Sequence, residues 1–294
     1  MKKLLFPFCT LCLFLLCILQ PSKAVAGAAA GLSLWYCTVL PTLLPCMILS
    51  SYLISSELVY HLPPAPLTLV TGWFCGYPMG AKTVADLWKS GGITEKEGTR
   101  LLLLCCMPSP MFLTGFLCFG MLRLSLTKAL PFLAALYLPP VLFWLPLRLR
   151  EGKVARRISA IPTKENKPLQ IFLNFETAMM EGFLIVAKIG GYLMLFTMLS
   201  YFFRSWIRNP FLSSLIPGFL EMTSGIAFTV QSCLSSPLTI ALCFSFAAFG
   251  GLSGVAQTAS VLKSTPFSGR RYLFWKLAQA VLTFGLVILL ASCL

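Results

Sequence analysis

Most of the chain is written in long apolar runs, separated by short polar connections that carry its charges. Met1 to Gln20 opens with Lys2 and Lys3, continues as a mostly apolar run, and is followed by Ala24-Val25-Ala26. This is the grammar of a cleaved signal peptide and equally of a retained first transmembrane helix. Gly31 to Ile54 is apolar with Pro41 and Pro45 inside it, which predicts a kinked span. After a loop around His61, Pro63 and Pro64, the run from Ala65 to Gly76 falls short of the ~20 residues a crossing needs, and predicts a re-entrant segment. Lys82 to Arg100 reads as a polar connection, with Gly91-Gly92 as a helix stop and Thr94-Glu95-Lys96-Glu97 as a capping box for the next helix. Leu101 to Leu122 predicts a span broken near its middle by Pro108 and Pro110. Phe132 to Leu147, Gly182 to Phe203, Phe211 to Val230, Leu238 to Leu262 and Tyr272 to Leu294 predict further spans.

One stretch, Gly72 to Asp86 (GWFCGYPMGAKTVAD), puts a glycine-proline break where hydrocarbon should be, then Lys82 and the chain's sole aspartate. Backbone broken at membrane depth persists only where it is buried in protein or lines a wet cavity. Composition agrees with a membrane setting. The 294 residues are 57% hydrophobic and 11% charged, with mean hydropathy +0.84, which excludes a soluble domain and defines an all-α, polytopic helical membrane protein.

The 23 Lys and Arg against 9 acids, a formal charge of +14, read as cytoplasmic loops facing anionic lipid, not as a nucleic-acid surface. Arg148 to Pro168 is the longest hydrophilic stretch and strongly basic, so it is placed in the cytoplasm; counting back two crossings puts the Lys82 to Arg100 connection on the same side. With a re-entrant Ala65 to Gly76, Lys2 and Lys3 fall inside as well. The 12 cysteines lie mostly in apolar runs without paired spacing, and only one histidine accompanies them, so they read as small core residues rather than metal ligands or a disulfide framework.

The second half echoes the first. Setting Gly76 over Gly251 aligns GYPMGAKTVADL with GLSGVAQTASVL, pairing Lys82 with Gln257 and Thr83 with Thr258. Upstream, Met47 to Leu53 (MILSSYL) resembles Thr197 to Phe203 (TMLSYFF) at a smaller offset, which implies an extra segment, roughly Arg204 to Gln231, that the first repeat has lost. The chain then divides into residues 1–26 (helix or signal), a first repeat at 27–147, a basic loop at 148–170 and a second repeat at 171–294. Paired repeats with broken segments at corresponding places point to a transporter site. Inverted repeats in this register would put the Lys263, Arg270 and Arg271 turn opposite the Lys82 connection, whereas charge argues for the same side.

The run GYPMGAK, with ITEKEGTRLL and PSPMFLTG after it, resembles the YlbJ-type sporulation integral membrane proteins. GFLEMTSG (Gly218 to Gly225) and FGGLSGVAQ (Phe249 to Gln257) agree with this in the second half. The resemblance implies membership of the nucleoside-recognition or Gate domain group, distantly similar to concentrative nucleoside transporters, with two Gate-like repeats and glycine- or proline-broken, re-entrant or discontinuous helices. It implies movement of a small anionic or nucleoside-like solute, dipicolinate being the leading candidate, across a cell or forespore membrane during endospore formation. The family usually carries asparagine-rich polar residues where this chain has Cys105-Cys106-Met107-Pro108-Ser109, and often a histidine at the place of Gly254 or Val255.

The candidate solute contacts are Gly76, Tyr77, Pro78, Gly80, Lys82, Ser109, Ser253 and Gln257. A helix starting after Gly80 would present its N-terminal amides, with Lys82 adding a full charge in the first turn, which suits a carboxylate. Alternatively, Lys82 opens a cytoplasmic loop and meets phospholipid head groups. Glu221 sits in an apolar stretch where an uncompensated carboxylate costs roughly 2.5 to 3.5 kcal/mol or more. With Thr223 and Ser224 it could bind a coupling proton or sodium ion, or it could pair with Lys188; a structural ion pair is the alternative. Glu176 and Glu181 read as dipole partners near a helix start. No cofactor and no metal site is expected, and the oligomeric state is open.

An enzyme is disfavoured. Gly251-Leu252-Ser253-Gly254 satisfies the G-x-S-G of rhomboid-type intramembrane proteases, but the sole histidine, His61, precedes the serine. A single aspartate cannot form an aspartyl dyad. A membrane scaffold of a sporulation complex that moves no solute is the competing class.

Overall fold

The computed structural model describes residues 2–55, 63–149 and 168–293. His61 and most of the basic Arg148 to Pro168 stretch lie outside the described residues. The described residues are all-α, as expected.

Helix α1 (Lys2–Leu19) meets α2 (Pro21–Leu34) at a bend of 110°. The expected cleavage region falls inside α2, where Ala24 is buried against Met198 and Phe202. From α2 the chain runs through a π-helical turn (Trp35–Val39) directly into α3 (Leu40–Ser55). The widened turn runs up to Pro41, which has no N–H to donate; just before it Leu40 donates five residues back, to Trp35 O. This long helix lies antiparallel along α8 (Pro168–Trp206) over much of its length. A Cβ at Gly27 would stand 2.6 Å from Met198 Cα, Trp35 Nε1 donates to Val186 O at 2.8 Å, and Gly182 packs on Ile48.

Helices α4 (Pro64–Cys75) and α5 (Tyr77–Lys89) fold back on one another at Gly76, whose φ of 80° suits glycine. Thr83 Oγ1 donates to Thr71 Oγ1 at 2.9 Å across the pair. The expected re-entrant segment is therefore one arm of a helical hairpin. Lys82, expected to open a connection, lies in the second turn of α5, and the connection is only Ser90 to Thr94. Gly91 takes φ 75° as the helix stop, and α6 (Glu95–Cys105) begins with the expected capping box: Glu97 N donates to Thr94 Oγ1 while Thr94 N donates to Glu97 Oε2. Helix α6 breaks at Cys106 to Ser109, and the span resumes in a π-helix (Phe112–Met121). Helix α7 (Leu126–Leu149) then crosses back.

Phe211 to Val230 does not span, contrary to expectation. It folds into a second hairpin, α9 (Pro210–Leu220) and α10 (Met222–Val230), with Glu221 at the tip. Gly218 and Gly225 face each other so closely that a Cβ on Gly225 would strike the Gly218 backbone. Helices α11 (Ser236–Phe249) and α12 (Gly251–Leu262) form a second interrupted span, and α13 (Gly269–Cys293) ends the bundle.

The same order therefore occurs twice: long helix, hairpin, interrupted span, long helix. It corrects the alignment of Gly76 with Gly251, which pairs a hairpin tip with a broken span. Gly76 corresponds to Glu221, and Cys106 to Ser109 corresponds to Gly250. The segment thought to be extra, Arg204 to Gln231, contains the second hairpin, and the first half has its counterpart in α4 and α5. Following helix directions, the first hairpin enters from the side of the Ser90 to Thr94 turn and the second from the opposite side. The turn after α12 lies on the first side, where Phe267 meets Gly98 and stands 6.2 Å from Trp88. Inversion and charge now agree: Lys89, Lys96, Arg100, Lys263, Arg270 and Arg271 share one side, because the Lys263 turn corresponds to the turn at Arg123, not to the Lys82 region.

Candidate functional site: a cavity where four chain interruptions meet

A proline in a helix removes the donor for the carbonyl four residues earlier. Pro108 thus frees Leu104 O and Pro110 frees Cys106 O, both in the protein interior, where an unpaired carbonyl is costly. Remote side chains supply the missing donors. Trp73 Nε1 of the first hairpin reaches Leu104 O at 3.4 Å, and Lys276 Nζ of α13 reaches Cys106 O at 3.1 Å. Tyr137 of α7 donates to Pro108 O at 2.9 Å, and Ser109 Oγ accepts from Phe112 N at 3.2 Å, restarting the helix. The arms of the first hairpin straddle this break, since a Cβ at Gly80 would stand 2.5 Å from Cys105 O and one at Gly72 would strike the same carbonyl.

The second break has a different origin. Gly250 and Gly251 take φ 82° and 69° in succession, so the Gly251 N–H turns away from Ala247 O. The Tyr77 hydroxyl, from the tip of the first hairpin, donates to Ala247 O instead. Against the same break sits the tip of the second hairpin, with Gly251 packed on Leu220 O and the Glu221 backbone.

Between these four interruptions is a cavity of about 80 Å³. The first hairpin contributes Gly76, Tyr77 and Pro78; the first break, Pro108 and Ser109; the second hairpin, Glu221 and Thr223; the second break, Ser253, Gly254 and Gln257. Thr38 and Val39 of the π-helical turn, Ile189 and Leu193 of α8, and the Phe112 and Met222 side chains add to the wall. Gln257 Nε2 donates to Ser253 Oγ at 3.0 Å, so the serine of the G-x-S-G run has an amide partner. Helices α5 and α12 begin at this cavity without a side-chain cap. Their first-turn amides supply partial positive charge there.

Most of the expected solute contacts come together here: Gly76, Tyr77, Pro78, Ser109, Ser253 and Gln257. Two do not. Gly80 is spent on the contact with Cys105, and Lys82 lines a neighbouring pocket of about 180 Å³ together with Asp86, Lys89, Lys188 and Tyr192. The two pockets share Pro78, Ile189 and Gln257. Lys82 is not a free cation, because it bonds Asp86 at 2.9 Å and Glu181 at 3.0 Å. Glu181 accordingly works as an ion-pair partner well inside α8, not as a dipole partner at its start.

Glu221 is 3% exposed, and among the described residues it forms no ion pair with Lys188. It caps α10: its carboxylate accepts from Thr223 N at 3.0 Å, Ser224 N at 2.7 Å and the Thr223 hydroxyl. Lys188 lies in the other pocket. Lys276, 4% exposed, and Gln279 were passed over in the sequence, although a lone lysine in an apolar last helix is itself a signal. Cys75, Cys105, Cys106, Cys118 and Cys243 are buried free thiols, as expected of core residues, whereas Cys12 and Cys17 are half-buried and Cys37, Cys233 and Cys293 are exposed, contrary to that expectation.

The class is thus a multi-pass helical membrane protein with two re-entrant hairpins and two interrupted spans around one cavity. The chain is similar to the sporulation integral membrane protein YlbJ of Bacillus subtilis (strain 168), 26% identical across 93% of this chain and 79% of YlbJ. The YlbJ-type resemblance of the GYPMGAK run therefore extends over nearly the whole chain. No protein-family model and no solved structure matches.

Proposed function

We propose that the protein acts in endospore formation as a transporter or facilitator for a small anionic or nucleoside-like solute, dipicolinate being the leading candidate. The observation that carries this reading is the convergence of four backbone interruptions, two from each half of the chain, on one cavity. Two hairpin tips entering from opposite sides give such a cavity a gate toward each. Tyr77 and Phe112 offer ring faces, the uncapped starts of α5 and α12 offer amides, and Ser109, Ser253 and Gln257 offer hydrogen bonds, a lining suited to a flat ring bearing carboxylates or amides. The neighbouring lysine-bearing pocket supplies an approach from the basic side. Glu221 remains a candidate for a coupling proton or sodium ion, acting through its cap.

The scaffold reading has its own support, since Lys82 is neutralised by two carboxylates and Glu221 is fully used as a cap. Gly254 separates the two: it lines the cavity, and a Cβ there would meet nothing within 4 Å. Gly254→Leu should fill the cavity without disturbing packing. Loss of spore dipicolinate or of labelled-nucleoside uptake, equal to that of a gene deletion and with normal membrane levels, is the expected result. A deletion phenotype fully restored by Gly254→Leu would favour the scaffold.

A further inference from the structure

Lys276 lies on α13, within the apolar interior, and among the described residues it has no carboxylate partner. Its ammonium contacts three groups from three elements. Nζ is 3.1 Å from Cys106 O, the carbonyl orphaned by Pro110; it is 2.8 Å from Gln279 Oε1; and it stands 4.8 Å from the centroid of the Tyr77 ring. Carbonyl, amide oxygen and π face are the donors a small monovalent cation meets in a dry site. The second ligand is itself held, because Gln279 Nε2 donates to Met107 Sδ at 3.1 Å and so keeps Oε1 turned to the amine. The contacts also reach both interruptions: Cys106 belongs to the first break, and Tyr77, through its hydroxyl, closes the second at Ala247.

We propose that these groups form a primary-amine site that the protein fills with its own tethered Lys276 side chain, and that these N–H contacts hold the first break and the first hairpin tip in register. The chemical class of ligand follows from the geometry: a small primary ammonium, because the Cys106 and Gln279 oxygens both need N–H donors. A free ion is unnecessary while the side chain is present. Truncation to alanine should leave a vacant site that an exogenous amine can enter.

The test uses the purified full-length protein in detergent, with heat resistance read by the fraction remaining monodisperse after heating. Wild type should be indifferent to whether methylammonium chloride or tetramethylammonium chloride is present at equal ionic strength. Lys276→Ala should lose several degrees of heat resistance and regain most of them, saturably, in methylammonium but not in tetramethylammonium, which carries charge without N–H. Wild-type resistance in Lys276→Ala, or an equal response to both salts, would overturn the proposal. If Lys276→Ala yields no monodisperse protein, Lys276→Gln replaces it, since its shorter side chain cannot serve both the Cys106 and the Gln279 oxygens. Reduced heat resistance there is the expected result, and Lys276→Gln as resistant as wild type overturns the claim.

Discussion

Replacing Glu221 separates a capping carboxylate from one that exists for ion exchange. In the fold the side chain satisfies two backbone N–H groups, at 3.0 and 2.7 Å, and one hydroxyl, at the start of α10. Thr223 and Ser224 are 4% and 7% exposed, so water cannot readily take over when the carboxylate is removed. Loss of an N-cap costs about 0.5–2 kcal/mol where solvent can substitute, and each buried donor left unsatisfied costs about 1–3 kcal/mol. For Glu221→Ala the expected loss is therefore about 2–4 kcal/mol. Glu221→Asp should lose far less, because aspartate is among the best N-caps. Glu221→Gln falls between, retaining one acceptor but not the charge at the helix N-terminus, worth up to about 2 kcal/mol when partly buried. The assay is the apparent melting temperature of a fluorescent fusion in detergent, read alongside membrane abundance. The order wild type, Asp, Gln, Ala is expected. Equal stability of the Ala and Asp variants would refute the capping account and leave the carboxylate free for another role.

Tyr77→Phe removes the donor that closes Ala247 O and should destabilise by about 1–3 kcal/mol with unchanged expression topology, measured in the same melting assay; an unshifted melting temperature would show that another donor serves that carbonyl. The Lys82–Glu181 pair is partly exposed on the glutamate side, so a double-mutant cycle with Lys82→Met and Glu181→Gln should give a coupling of at most about 1 kcal/mol; a larger value would mark the pair as a latch between α5 and α8. Cysteines introduced at Thr94 and Thr265 in a cysteine-free background should be labelled by an impermeant thiol reagent from one face, and those at Arg123 and Ser232 from the other. Thr94 and Thr265 labelled from opposite faces would break the inverted arrangement.

Much of this architecture was legible in the chain itself. Hydropathy determined the class, Pro108 with Pro110 and the glycine pair at Gly250 marked where spans break, and Thr94 with Glu97 marked a helix start, because each of these effects acts within one turn of backbone. Direction was not legible. An apolar run such as Phe211 to Val230 has the length of a crossing whether it runs straight or doubles back, and only the contact of Gly218 with Gly225 decides between them. That ambiguity propagated into the repeat register and made charge and inversion look opposed. Nor can a sequence say which distant group answers a freed carbonyl. Local chemistry dictates that Leu104, Cys106 and Ala247 need donors; the packing of separate helices determines that Trp73, Lys276 and Tyr77 provide them, and that Lys82 and Glu221 are already engaged.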